Sequence, residues 1–230
     1  MNAPGLRIAG AAIVVVVGIW AGAKVHFTHD PAAGRHGVPV PAGVASPPNP
    51  SDLGQTPDEA APTVKIPDRL PQFSLQDRAG NVTPISSFEG KSLVINFWAT
   101  WCAPCRSEIP LLKSLHTEWG DRDVSVIGIA VDHRDKVLEF ADRFKIRYPI
   151  LIGEQDALDV VAAFGVETAV FPFTVFTDRN GEVVTVFVGE LHRPQAELIL
   201  SEVQNLNKGS IGLPAARDSI AQGLHALKTT

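Results

Sequence analysis

Two cysteines, Cys102 and Cys105, are the only ones in this 230-residue chain, and only Ala103 and Pro104 separate them. Thiol–disulfide exchange needs one sulfur with a lowered pKa to attack and a second one nearby to resolve the mixed disulfide. Pro104 suits the first turn of a helix, where a missing N–H costs little. Cys102 then stands at or just before a helix N-terminus. The unpaired N–H groups and the helix dipole there stabilise a thiolate, so Cys102 is expected to be the exposed nucleophile. Cys105, one turn further in, is expected to resolve. Other uses of the pair fit less well. A structural disulfide over so small a loop removes little chain entropy. A zinc site wants about four ligands, and there is no second cysteine pair. Two inert core cysteines are out of place beside a proline at a helix start.

The flanking residues supply elements to hold this pair. Leu93–Phe97 is short, apolar and β-branched, which predicts a buried strand running to Trp98. Ala103–Trp119 reads as the helix after the cysteines, with Glu108 on the Cys105 face three residues on and Pro110 as a kink. Val124–Val131 is a nearly continuous apolar run, as expected for a strand covered on both faces. Helical spacing follows over Lys136–Phe144, a short strand over Pro149–Ile152 and a short helix over Ala157–Phe164. Phe173–Thr177 and Val183–Val188 form a hairpin around Asp178-Arg179-Asn180-Gly181, a strong turn signal. Pro194–Leu206 closes the domain as a helix. Phe73–Gln76 and Val82–Thr83 read as an N-terminal hairpin. Strands alternating with helices, then an antiparallel hairpin, predict an α/β fold with a mixed sheet.

Composition bounds the rest. The hydrophobic share of 45% supports a sizeable core, and the net charge of −5 with no basic stripe argues against a nucleic-acid partner. Residues 8–23 carry no charge between Arg7 and Lys24. With Leu6 and Val25 they approach spanning length, and Trp20 suits a membrane interface. The alternative is a cleaved signal peptide, because Ala21-Gly22-Ala23 resembles its cleavage site. Either reading exports the remainder of the chain. The chain therefore divides into an anchor or signal peptide at 1–25, a Pro/Ala/Gly-rich spacer at 26–68, a folded domain at 69–208 and a tail at 209–230. Ile220, Leu224 and Leu227 share one face of a short helix in that tail, with no assigned role.

Phe97-Trp98-Ala99-Thr100-Trp101-Cys102-Ala103-Pro104-Cys105 resembles the thioredoxin active-site segment. The wider pattern is similar to the TlpA/ResA-like, membrane-tethered thioredoxins of the bacterial periplasm, through Asn96, Glu108, Phe171-Pro172-Phe173-Thr174 and Asp178–Gly181. The resemblance spans Phe73–Leu206. It implies a thioredoxin-like fold, with an insertion between the second central strand and a cis-proline at Pro172. Without it, Pro172 reads as an ordinary proline at a strand edge. Val131–Val166 looks like the insertion shared with peroxiredoxins, but Ile95 and Ala99 stand where the peroxiredoxin motif needs Pro and Thr.

Thioredoxin carries a proton-accepting Asp where this chain has Asn96. The resemblance passes that role to Glu108. The plain physical alternative is an acid complementing the helix dipole. The resemblance also implies a substrate-contact set of Trp101, Pro104, Phe171 and Pro172 around catalytic Cys102, Cys105 and Glu108. Trp101 reads either as a flat contact surface or as a packed aromatic, which exposure separates. The redox centre is then the Cys102–Cys105 disulfide itself, with no separate cofactor and no metal.

The function implied is a periplasmic protein disulfide reductase fastened to the inner membrane. Its partners are disulfide-containing periplasmic proteins and a membrane thiol reductase that supplies electrons. The implied substrates are apocytochrome c before haem attachment, or cysteines of a copper site during oxidase assembly. The alternatives are a general disulfide oxidant or isomerase, and a Cu(I)-handling module, since thiolates suit that soft ion.

Overall fold

The computed structural model describes residues 66–166 and 170–229. The apolar segment 8–23 and the spacer up to residue 65 lie outside the described residues. Among the described residues no helix is long and apolar enough to cross a membrane.

The strand ahead of the cysteines, β3 (Ser92–Trp98), is buried at every position. Its period of two divides it between the faces of the sheet. Leu93, Ile95 and Phe97 enter one core, whereas Val94 and Trp98 enter the other. Asn96 points with the second set, a polar residue between two apolar ones in that row. Helix α1 (Ala103–Trp119) follows, with Pro104 in its first turn and Pro110 inside it. It presses Ile109, Leu112, Leu115 and Trp119 onto the Val94/Trp98 face.

Seven strands form one sheet in the order β2-β1-β5-β4-β3-β6-β7. β4 (Val124–Val131) and β5 (Ile150–Gly153) run parallel to β3. β6 (Phe173–Thr177) runs antiparallel to β3 on its other side, and β7 (Val183–Val188) completes that edge. β1 (Ser74–Asp77) and β2 (Val82–Pro84) form the N-terminal hairpin and join β5. Helices α2 (Arg134–Arg143) and α4 (Arg193–Asn207) share the α1 core, and α3 (Gln155–Ala163) covers the opposite face. This is the mixed α/β sheet flanked by helices that the sequence predicts. The short elements differ from expectation by one or two residues at their ends, where helices fray and strands lose partners.

Gly128 in β4 has a packing reason. A Cβ there would lie 2.8 Å from Trp98 Nε1 and 3.2 Å from Tyr148 Cε2, so both rings need the bare backbone. The hairpin turns are held by aspartates. Asp178 accepts hydrogen bonds from the Asn180 and Glu182 backbone N–H groups, and Gly181 takes φ +77°. Asp77 does the same for Ala79 and Asn81, and these bonds hold its carboxyl below the usual range. The start of the domain is fastened at the beginning of β7. Leu70 N–H donates to Gly181 O at 2.8 Å, and Val183 N–H to Asp68 O at 2.9 Å.

The stretch beyond residue 209 holds more structure than a tail with a short helix. Helix α5 (Leu213–Lys228) runs for 16 residues. Ala216 and Ile220 are buried, and Leu213 and Leu224 pack against the α1 core, while Leu227 stays 39% exposed. Small residues make much of this contact, which is why apolar spacing underreported it. Gly223 lets Leu198 of α4 lie against the helix, where an added Cβ would be 2.6 Å from Leu198 Cδ2. Arg217 Nη2 donates to Val183 O at 2.6 Å, so α5 also engages the edge strand β7. Ile220→Ala should lower the unfolding free energy by about 2–4 kcal/mol, the usual cost of emptying a buried isoleucine site. Urea unfolding measures it. A loss under about 0.5 kcal/mol, typical of a surface change, would mean that α5 only rests on the domain.

Candidate functional site

The pairing of β3 with β6 builds the site. Phe97 pairs with Phe173 and Asn96 with Thr174, so the start of β6 lies beside the end of β3. Residues 99–102 therefore meet Phe171–Pro172. The Phe171–Pro172 peptide bond is cis. Pro172 O accepts from Gly189 N–H at 2.9 Å, which ties this loop to the end of β7.

Cys102 occupies the N-cap of α1 in extended conformation, and its sulfur accepts from Cys105 N–H at 3.2 Å. The sulfurs of Cys102 and Cys105 are joined in a disulfide. Cys102 is nevertheless buried, at 4% exposure, against the expectation of an exposed sulfur. Its sulfur is turned toward Cys105, and Trp101 takes the outward position instead. Trp101 is 66% exposed, which decides between its two readings: it is a surface aromatic. Its ring lies 6.1 Å from that of Phe171, edge to face. A groove of about 430 Å³ opens beside them, lined by Trp101, Val131, Leu158 and Phe171, with Asp132 and Glu154 at its polar margin. Pro104 is exposed in the first turn of α1.

Behind the disulfide sits Glu108, only 1% exposed. Asn96 Nδ2 donates to Glu108 Oε1 at 2.7 Å and to Thr174 Oγ1 at 3.0 Å. Leu191 N–H donates to Glu108 Oε2 at 2.9 Å. Both oxygens thus accept, an arrangement suited to a carboxylate. Burial acts the other way and dominates, raising the Glu108 pKa to about 7; the two hydrogen bonds pull it down, and the Glu190 charge adds to the rise. Tyr148, also buried, is pushed upward by desolvation and by the field of Glu108.

Of the residues singled out in the sequence, Cys102, Cys105, Trp101, Phe171 and Pro172 come together at one end of the sheet, and Glu108 lies in the core behind α1. Sequence reasoning missed three participants. Thr174 and Leu191 complete the polar cluster, and Asp132 braces the turn before Cys102. Asp132 accepts from Thr100 N–H at 3.3 Å, from the Thr100 hydroxyl, and from His133 N–H at 2.8 Å. Thr174 carried a signal: it is polar between Phe173 and Val175 in a largely apolar strand. Leu191 acts through its backbone, which leaves no trace in residue type. Among the described residues, no cluster of three or more His, Cys, Asp or Glu side chains could hold a metal ion.

This sheet, with a disulfide at a helix N-cap beside a cis-proline, defines a thioredoxin-like thiol–disulfide oxidoreductase. Comparison with known proteins places it further. Residues 65–203 match the Redoxin family model. The chain is 32% identical over 142 residues to the thiol-disulfide oxidoreductase ResA of Geobacillus kaustophilus, covering 61% of this chain and 79% of that protein. It is 32% identical over 133 residues to the thioredoxin-like protein YneN of Bacillus subtilis, covering 56% and 75%. Its fold resembles a DsbF homologue from Corynebacterium diphtheriae with a TM-score of 0.51 at 26% identity, over 60% of this chain and 85% of that one. The chain belongs to the Redoxin family, among its ResA-type thioredoxin-like members, and is an enzyme of thiol–disulfide exchange.

The burial of Glu108 has a measurable consequence. Its folded-state pKa, about 7, lies above the ordinary value of 4.5. Between these two pH values the folded protein holds a proton that the unfolded chain releases. Stability therefore falls as pH rises from about 4.5 through about 7, by on the order of 3 kcal/mol in total. Glu108→Gln removes the titration. Urea unfolding of the oxidised proteins from pH 4 to 8 should show the wild type losing stability relative to the variant across that window. Parallel curves would mean that Glu108 ionises at no cost.

Proposed function

We propose that this enzyme reduces disulfides of exported proteins, through Cys102 and Cys105, on the periplasmic side of a bacterial inner membrane. Residues 1–25 fasten it there and 26–68 give it reach. Its substrates on this reading are apocytochrome c awaiting haem, or cysteines of a copper site during oxidase assembly. The observation that carries the reading is the cysteine pair at the α1 N-cap, with exposed Trp101 and cis-Pro172 beside it and Glu108 behind it.

The chemistry runs from the reduced pair. The Cys102 thiolate attacks one sulfur of the substrate disulfide; a Cys102–substrate disulfide forms and the other substrate sulfur leaves as a thiolate. Trp101, Phe171 and Pro104 offer the apolar platform against which the substrate segment lies, and the backbone at Phe171–Pro172 pairs with its chain. Glu108 in its carboxylate form takes the proton of the Cys105 thiol. The Cys105 thiolate then attacks Cys102 Sγ and expels the second substrate thiolate. The substrate gains two electrons, the enzyme pair is left oxidised, and a membrane thiol reductase restores it. Asn96 cannot titrate, so it positions Glu108 and does not replace it. A carboxyl with a pKa near the working pH is an efficient base for such a step.

Cys105→Ser should trap substrate disulfides on Cys102. Trapping on Cys105 in Cys102→Ser instead reverses the roles. In Glu108→Gln, single-turnover reduction of a protein disulfide should slow at the resolving step, with Cys102 mixed disulfides accumulating. The wild-type resolution rate should also rise through about pH 7 as Glu108 ionises; in the variant that rise disappears. A purely dipolar Glu108 predicts unchanged rates and a stability loss of only about 0.3–1 kcal/mol. The reduction potential of the pair separates reductant from oxidant: a strongly negative value supports reduction.

The full chain should sediment with membranes and resist high-salt washing, because apolar anchoring is not screened by salt. A mature protein that begins at Lys24 and stays in the soluble fraction overturns the anchor.

A further inference from the structure

A second groove, sharing no lining residue with the Trp101 groove, begins at Thr100 and Arg106, the residues that bracket the Trp101–Cys105 stretch. It has a volume of about 380 Å³ and is formed by Thr100 and Arg106 with Lys136, Glu139, Phe140, Arg143 and Phe144 of the α2 segment. Arg106 directly follows Cys105, so the groove begins at the reactive end of α1. Its floor is aromatic: the Phe140 and Phe144 rings stack at 4.2 Å. Phe144 remains partly exposed, and Arg106 and Lys136 are exposed.

The charge of this groove opposes that of the chain. Three cations face one carboxylate, although the whole protein carries −5. The carboxylate, Glu139, is already paired with Arg143 at 2.6 Å. Neither the Arg106 guanidinium nor the Lys136 ammonium makes a hydrogen bond or ion pair with a described residue. Asp142, on α2 beyond the lining, is taken by Arg78. Asp135 lies outside the lining. Two cations beside an aromatic floor are therefore free to meet an anion. The Trp101 groove is bordered by Asp132 and Glu154 instead, with His133 paired to Glu154 at 2.9 Å. The two grooves thus differ in charge: unpaired cations toward α2, and carboxylates with one histidine toward α3.

We propose that the Arg106/Lys136 groove docks an acidic segment of the disulfide-bearing protein, with an aliphatic or aromatic side chain set on Phe140 and Phe144. This rests on the exchange function above and names the chemistry of its partner. Complementary charge at such a surface speeds encounter and sets the direction in which the partner lies. The difference in charge admits the acidic segment to one groove only.

The test has two independent readouts. A cysteine-free peptide with Asp and Glu around one Phe is titrated into the full-length oxidised protein, beside its Asn/Gln counterpart. Binding of the acidic peptide should be at least about tenfold tighter, should weaken with added salt, and should fall to the level of the amide peptide in Lys136→Glu. Equal binding of the two peptides, or a preference that survives Lys136→Glu, overturns the proposal. So does a stronger association of the protein with phosphatidylglycerol vesicles than with the peptide, if Lys136→Glu abolishes it. Reduction of hydroxyethyl disulfide, small and neutral, reports exchange separately. Peptide binding without that reduction upholds the groove and sinks the exchange function; reduction without binding does the reverse.

Discussion

The antiparallel register of β3 and β6 is the constraint from which the site follows. β3 delivers Cys102 at its C-terminal end, and β6 begins at that same end of the sheet. One pairing, Phe97 with Phe173, therefore brings the cysteine turn against the cis-proline loop without any direct bond between them. The next pairing, Asn96 with Thr174, falls on the α1 face and becomes the base of the polar cluster. A slip of one residue would turn Asn96 to the wrong face and leave Glu108 with Leu191 N–H as its remaining donor. The packing of β3 into two cores holds that register, because a slip would exchange the side chains that each core is packed around.

The Glu108 cluster is a compromise between two opposing effects, of which burial is the larger. Two N–H donors favour the anion, and removal from water favours the acid. The donors come from different parts of the chain, one from β3 and one from the loop after β7. Both must be in place for the carboxylate to exist at neutral pH. The group is neither a buried ion fully compensated by its surroundings nor an acid locked in its neutral form.

Much of this was legible in the sequence because it was written in local patterns. The apolar run of β3, Pro104 at the helix start and the Asn180-Gly181 turn each specify their element within a few residues. Glu108 was visible as a carboxyl on the Cys105 face that partial burial would push toward neutral pH, but its near-complete burial was not, since that depends on Leu191 and on the packing of α4. The outward turn of Trp101 and the inward turn of Cys102 were equally hidden; tertiary contact decides which of two neighbours faces water. The cis state of Pro172 came through family resemblance and not from any local rule. The charge of the second groove needed the juxtaposition of α1 with α2, whose cations are far apart in the chain. Helix α5 was underread because Ala216 and Gly223 pack without an apolar signature.

The fastening of Asp68–Leu70 to the beginning of β7 also fixes where the chain enters the domain. Val183 aligns with Thr177, whereas Val188 aligns with Phe173 beside the cis-proline loop. Asp68 bonds to Val183 N–H, so the entry lies at the end of the sheet away from the cysteines. The domain has a handle and a working end, separated by the full length of a strand pair, about 15–20 Å at the rise of an extended chain. A load pulling on the chain ahead of residue 68 is taken first by the Leu70 and Val183 backbone bonds. The Glu108 cluster and the disulfide stand at the far end of the sheet from that strain.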